Sequence, residues 1–135
     1  MPRVTMEMLE GRTLEEKRVL AQEIGEMVRE IFKVPPENVL LRFVDVKFED
    51  FASGGELRSD ASSREGKPVY GGLLEPRLTV QYVEGRTMEQ LRVFVERVTN
   101  TVAKILNIPK EGIIVYMIEM KRGQLSQGGM FLCDK

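Results

Sequence analysis

The chain has 135 residues, with 20 Lys and Arg against 21 Asp and Glu, no His, no Trp and a single cysteine, Cys133. That length suits one compact domain or two small units sharing a core, and a net charge of −1 supplies no field for gripping phosphates, so nucleic acid is not an expected partner. The absence of histidine and the lone cysteine exclude a nitrogen–sulfur zinc site and a disulfide framework, and any acid–base chemistry must use carboxylates, Lys, Tyr, Cys133 or the α-amino group.

Residues Met1 to Thr5 lack the apolar run of a signal peptide, and no stretch nears the roughly 20 apolar residues of a membrane span. The expectation is a cytoplasmic protein with no membrane partner. Pro2 to Leu9 alternates, with Val4, Met6 and Met8 on one face and Arg3, Thr5 and Glu7 on the other, which predicts a strand. Thr13 with Glu16 forms a capping box opening a helix whose buried stripe is Leu20, Ile24, Met27, Val28 and Ile31, and Pro35 is the expected stop. Val39 to Val46 is apolar on both faces, as in a strand covered on both sides. Glu56 to Glu75, rich in Ser, Gly and charge, predicts a connector with a short hairpin around Val69-Tyr70.

The remainder of the chain repeats the first part. An offset of 74 aligns Pro2-Arg3-Val4-Thr5 with Pro76-Arg77-Leu78-Thr79, and Glu10-Gly11-Arg12-Thr13 with Glu84-Gly85-Arg86-Thr87. The same register matches Pro35 with Pro109, Lys47 with Lys121, and Gly54-Gly55 with Gly128-Gly129. Thr87 and Gln90 cap a second helix with a predicted stripe of Leu91, Val95, Val98, Val102 and Ile105, and Ile113 to Met120 forms the last strand. The predicted organisation is a first β-α-β unit over 1–57, a linker over 58–75 and a second unit over 76–135. The fold class is α+β: two tandem β-α-β units form a four-stranded sheet with two helices on one face. The opposite face is expected to stay apolar and to be covered by association.

A proline directly after Met1, a strand, Leu9-Glu10-Gly11-Arg12-Thr13, a helix containing Lys17-Arg18, a second strand and Phe51-Ala52-Ser53-Gly54-Gly55 together resemble 4-oxalocrotonate tautomerase. The duplicated chain is similar to the fused two-copy members of the tautomerase superfamily. The resemblance implies catalysis by the secondary amine of Pro2, exposed when Met1 is removed. A free α-amino group has a pKa of about 7.7–8.0, and burial or a nearby cation lowers it. Such an amine is partly unprotonated at neutral pH, as a general base should be. Pro76 is different, because its nitrogen is an amide inside the chain. The implied reaction is keto–enol tautomerisation of small unsaturated 2-oxo acids of the 2-hydroxymuconate type. The substrate is a small carboxylate, neither metal nor organic cofactor is required, and doubling a hexameric single-copy unit implies a homotrimer.

Pro2 and Arg12 stand at opposite ends of one strand, about 25–30 Å apart. If the first strands of the two copies run antiparallel, Arg86 arrives beside Pro2 and Arg12 beside Pro76. Arg86 is therefore expected to hold the substrate carboxylate through its guanidinium fork, with Arg12 as backup from a neighbouring protomer. By the resemblance, Phe51 matches the active-site phenylalanine and forms an apolar wall, with Leu125 as its counterpart. The family's second-strand arginine is replaced by Leu40 here and by Ile114 in the second copy. Arg42, two residues on and level with Pro2 if the strands are parallel, is the expected substitute; without it, activity on the dicarboxylate should be weak. The acidic residue of hydrating and dehalogenating relatives is Ser53 or Gln127 here, and the decarboxylase aspartate is Asn38, which favours proton transfer. Two alternatives stay open: a decarboxylase or hydratase/dehalogenase of a small oxo or haloacrylic acid, and a non-catalytic oligomeric binding module.

Overall fold

The computed structural model describes residues 2–61 and 75–135; the middle of the connector and the hairpin expected at Val69-Tyr70 lie outside them. The first unit contains β1 (Arg3–Leu9), α1 (Leu14–Phe32) and β2 (Leu40–Val46), followed by the short strands β3 (Ala52–Ser53) and β4 (Glu56–Leu57) and one helical turn, α2 (Arg58–Ala61). The second repeats it as β5 (Arg77–Val83), α3 (Met88–Leu106) and β6 (Ile114–Met120), with short strands β7 (Ser126–Gln127) and β8 (Met130–Phe131).

Both capping boxes form. The Thr13 hydroxyl accepts from the Glu16 N–H at 3.1 Å while Glu16 Oε1 accepts from the Thr13 N–H at 2.9 Å, and Thr87 with Gln90 reproduces both distances. These bonds satisfy helix N-terminal donors that would otherwise lack partners. The helices end before the prolines do: Lys33 and Asn107 each take a left-handed conformation at φ 54°, and Pro35 and Pro109 follow two residues later.

The buried stripe of α1 is Leu20, Ile24, Met27, Val28, Ile31 and Phe32. That of α3 is Leu91, Phe94, Val98, Val102 and Leu106, so Phe94 and Leu106 take the places expected for Val95 and Ile105. Aromatic area explains the first change, because the Phe94 ring meets Phe32 edge-on at 5.2 Å between helices. Both helices share one core with Val4, Met6 and Met8 of β1 and Leu78, Val80 and Tyr82 of β5, and so lie on the same sheet face.

The sheet order is β2-β1-β5-β6, with β1 parallel to β2, β5 parallel to β6 and β1 antiparallel to β5. This is the expected fold. Its outer face is not uniformly apolar, however. The alternation that buries Val4 and Val80 turns Arg3, Thr5 and Glu7, and Arg77, Thr79 and Gln81, onto the centre of that face. β2 and β6, expected to be covered on both sides, are instead the sheet edges, leaving Leu40, Tyr116 and Ile118 exposed in the single chain.

Candidate active site

Each first strand leaves the sheet through a Glu-Gly-Arg turn. Gly11 and Gly85 both sit at φ 111°, a region a side chain rarely enters, which explains glycine at these two points. The glutamates then tie the turns down. The Glu10 N–H donates to the Val46 carbonyl at 2.8 Å, and Glu10 Oε1 accepts from the Phe48 N–H at 3.3 Å. In the second unit, the Glu84 N–H donates to the Met120 carbonyl at 2.9 Å, and Glu84 Oε2 accepts from the Arg122 N–H at 2.8 Å. Each arginine is thereby fixed at the end of its unit farthest from that unit's proline.

Antiparallel pairing exchanges the ends. The last register pair is Arg3 with Gln81; one step beyond it stand Pro2, which is buried, and Tyr82. The Arg86 turn begins just past the end of β5. Here α1 also ends, and Arg86 Nη1 donates to the Phe32 carbonyl at 2.7 Å with the guanidinium carbon 5.3 Å from the Phe32 ring centroid. The Phe32 ring lies 6.1 Å from that of Tyr82. Tyr82 is the register partner of Glu119; burial, and then the Glu119 charge, push its phenol above the ordinary tyrosine value.

The other end is built from Pro76, Arg12 and Glu75. Glu75 Oε2 accepts from the Leu9 N–H at 3.1 Å, and Oε1 lies 3.7 Å from Arg12 Nη2. A small cavity beside this contact is lined by Met8, Leu9, Val46, Phe51, Glu75 and Arg77. Phe51 therefore sits at the Pro76 end, away from Pro2 of its own chain. The reason is that β2 runs parallel to β1, so the segment after it finishes beside Leu9. By the repeat, Leu125 holds the matching place at the Pro2 end, directly after the turn anchored to Glu84.

Arg42 pairs with Thr5, three residues along β1 from Pro2, while Leu40 pairs with Arg3. The parallel register thus leaves Leu40, and not Arg42, nearest to level with Pro2. Arg42 shares Thr5's side of the sheet, opposite the core that holds Val4 and Met6. Within the single chain, the structure brings Arg86 to Pro2's end of the sheet and places Arg12, Arg42 and Phe51 away from it. Two further residues of these pockets went unremarked in the sequence. Tyr82 is the repeat partner of Met8, and Glu75 precedes Pro76 as Met1 precedes Pro2; those mismatches were the available signals.

Among the described residues, no group of three Cys, His, Asp or Glu is placed to hold a metal ion, and no helix is long and apolar enough to cross a membrane.

The fold and these paired ends define a duplicated β-α-β protein with a proline at the head of each copy and an arginine turn supplied by the other. The chain belongs to the tautomerase family: a family model described as a tautomerase enzyme matches residues 2–61 and 76–134. It is thus a tautomerase-family isomerase.

A probable tautomerase of Bacillus cereus is 40% identical over 60 residues, which are 44% of this chain and 98% of that protein. A probable tautomerase of Listeria monocytogenes is 44% identical over 59 residues, covering 44% of this chain and 97% of its own. The 2-hydroxymuconate tautomerase of Bacillus subtilis is 39% identical over 59 residues, covering 44% and 95%. Each of these relatives is the length of one unit. Across the full chain, a native fused 4-OT crystal structure matches with TM-score 0.80 at 19% identity, covering 98% of this chain and 97% of that one. A fused 4-OT described as an asymmetric trimer matches with TM-score 0.80 at 18% identity and the same coverage. At these identities the likeness is one of fold.

Proposed function

We propose that the protein interconverts enol and keto forms of small unsaturated 2-oxo acids, with the free amine of Pro2 as general base and acid. The lone pair on the Pro2 nitrogen takes the proton of the enol hydroxyl, and the resulting ammonium returns it to a carbon of the conjugated system. Arg86 holds a substrate carboxylate and, as a cation, favours the neutral amine. Its bond to Phe32 uses one of five guanidinium N–H donors, leaving others for this task. Leu125 supplies the apolar wall. Pro76 has no basic nitrogen, so each chain runs one reaction. The homotrimer implied by the doubled unit would cover the exposed edge residues Leu40, Tyr116 and Ile118. Trimeric assembly is also the description of the fused 4-OT neighbour.

The observation that carries this reading is the antiparallel pairing of β1 with β5, which supports Arg86 as the arginine serving Pro2. The test begins with an intact mass of the purified protein, expected to lack Met1. Turnover of 2-hydroxymuconate should then be present in the wild type and lost in Pro2→Ala. A retained methionine, or equal turnover in that variant, would refute the base assignment.

A further inference from the structure

The Pro76 end already holds a carboxylate. Glu75 is 13% exposed at its side chain, and its two oxygens divide between the Leu9 N–H at 3.1 Å and Arg12 Nη2 at 3.7 Å. Burying a carboxylate this far without partners is unfavourable by several kcal/mol, so the pocket must offer what the charge loses from water. It offers a guanidinium, a backbone donor and the apolar side chains of Met8, Val46 and Phe51. Glu7 brings a negative charge near the rim, but its register partner on the neighbouring strand is the cationic Arg77.

We propose that this pocket is a carboxylate-binding site which the chain fills with its own Glu75, and that a short-chain carboxylate takes the place once that side chain is removed. Glu75 immediately precedes Pro76, so the backbone delivers it at high effective concentration and a free acid cannot compete. The equivalent position in the sequence at the other end is Met1, which has no carboxylate side chain and which the proposed function removes. By the proposed function the Pro2 end takes an outside acid, whereas the Pro76 end is closed by the protein's own. The proposal shares with the proposed function the idea that the Gly-Arg turn grips carboxylates, but it concerns Arg12 and is read at Leu9, far from Pro2.

The test uses the full chain, isotope-labelled, titrated with sodium propionate, whose size approximates the vacated side chain. In Glu75→Ala, the Leu9 amide resonance should shift saturably. In the wild type it should not move, and in Glu75→Ala/Arg12→Ala the affinity should fall at least about tenfold. If Glu75→Ala does not fold, as judged by far-UV circular dichroism, Glu75→Ser replaces it with the same expectation. No saturable shift at Leu9 without the Glu75 carboxylate, or a shift indifferent to Arg12→Ala, overturns the proposal. Failure of the Pro2 reading shows separately, as absent tautomerase turnover with the Leu9 response intact.

Discussion

Arg86 Nη1 donates to the Phe32 carbonyl at 2.7 Å, so the residue proposed to hold substrate also closes the C-terminal end of α1. That carbonyl is among the last four of the helix, which have no partner within it, and a cation there also suits the helix dipole. Arg86→Ala should therefore lower unfolding free energy by about 1.5–3 kcal/mol in urea denaturation, and kcat/KM should fall in the variant that remains folded. Arg86→Lys should recover part of both. A folded Arg86→Ala with wild-type kcat/KM would assign the residue to the helix end alone.

The proposed Pro2 base is buried and shares its end of the sheet with the Arg86 guanidinium, and both conditions disfavour a protonated amine. A base works only when unprotonated. The expected kcat/KM profile rises with pH, with a midpoint below the ordinary value of about 7.7–8.0, and then levels. Pro2→Ala should remove at least about a hundredfold of kcat.

Leu40 is exposed and pairs with Arg3, one step from Pro2 in the register. Restoring a guanidinium there should stabilise developing enolate charge. Leu40→Arg is expected to raise kcat on 2-hydroxymuconate by roughly ten- to a hundredfold, less than the loss on deleting one built-in donor. Arg42→Ala, on the same face as Leu40 but beside Thr5 and so farther along the sheet from Pro2, should change kcat little. Steady-state kinetics of the two variants decides between the positions.

The two capping boxes differ in charge: Glu16 completes the first and Gln90 the second. The Thr13 N–H bond is the main reason that the Glu16 carboxyl is held below its ordinary value. A lowered folded pKa contributes stability that is present above the unfolded value near 4.5 and is lost as pH falls through the folded one. Glu16→Gln should therefore be less stable than the wild type at pH 7, with the gap closing on acidification. Urea midpoints taken across that range test it.

The repeat made most of the fold legible, because agreement at an offset of 74 implies two units of the same fold whatever each one's propensities. Thr13-Glu16 and Thr87-Gln90 located both helix starts to the residue. Two positions of the α3 stripe differ by one residue from the periodic expectation, because Val95 and Ile105 fit the period nearly as well as Phe94 and Leu106; the facing Phe32 accounts for Phe94. Strand pairing was the harder part. Apolar content cannot tell an edge strand from a central one, which is why β2 and β6 read as covered on both sides in the sequence. The expectation that Arg86 shares an end with Pro2 rests on strand length and on an antiparallel pairing that only the structure supplies, whereas Phe51 and Arg42 depend on register and on where β2 ends. Glu75 carried no pattern at all; its role exists only because the chain folds it against Leu9 and Arg12.

The edge-to-face contact of Phe32 with Phe94 joins the two halves through a single interior. Either half made by itself would present its ring and stripe to water and could persist only by finding a second copy. Covalent linkage turns that encounter into an internal event and removes the requirement that both partners stay alike. The two halves can then differ position by position, as Tyr82 against Met8, Leu125 against Phe51 and Gln90 against Glu16 do.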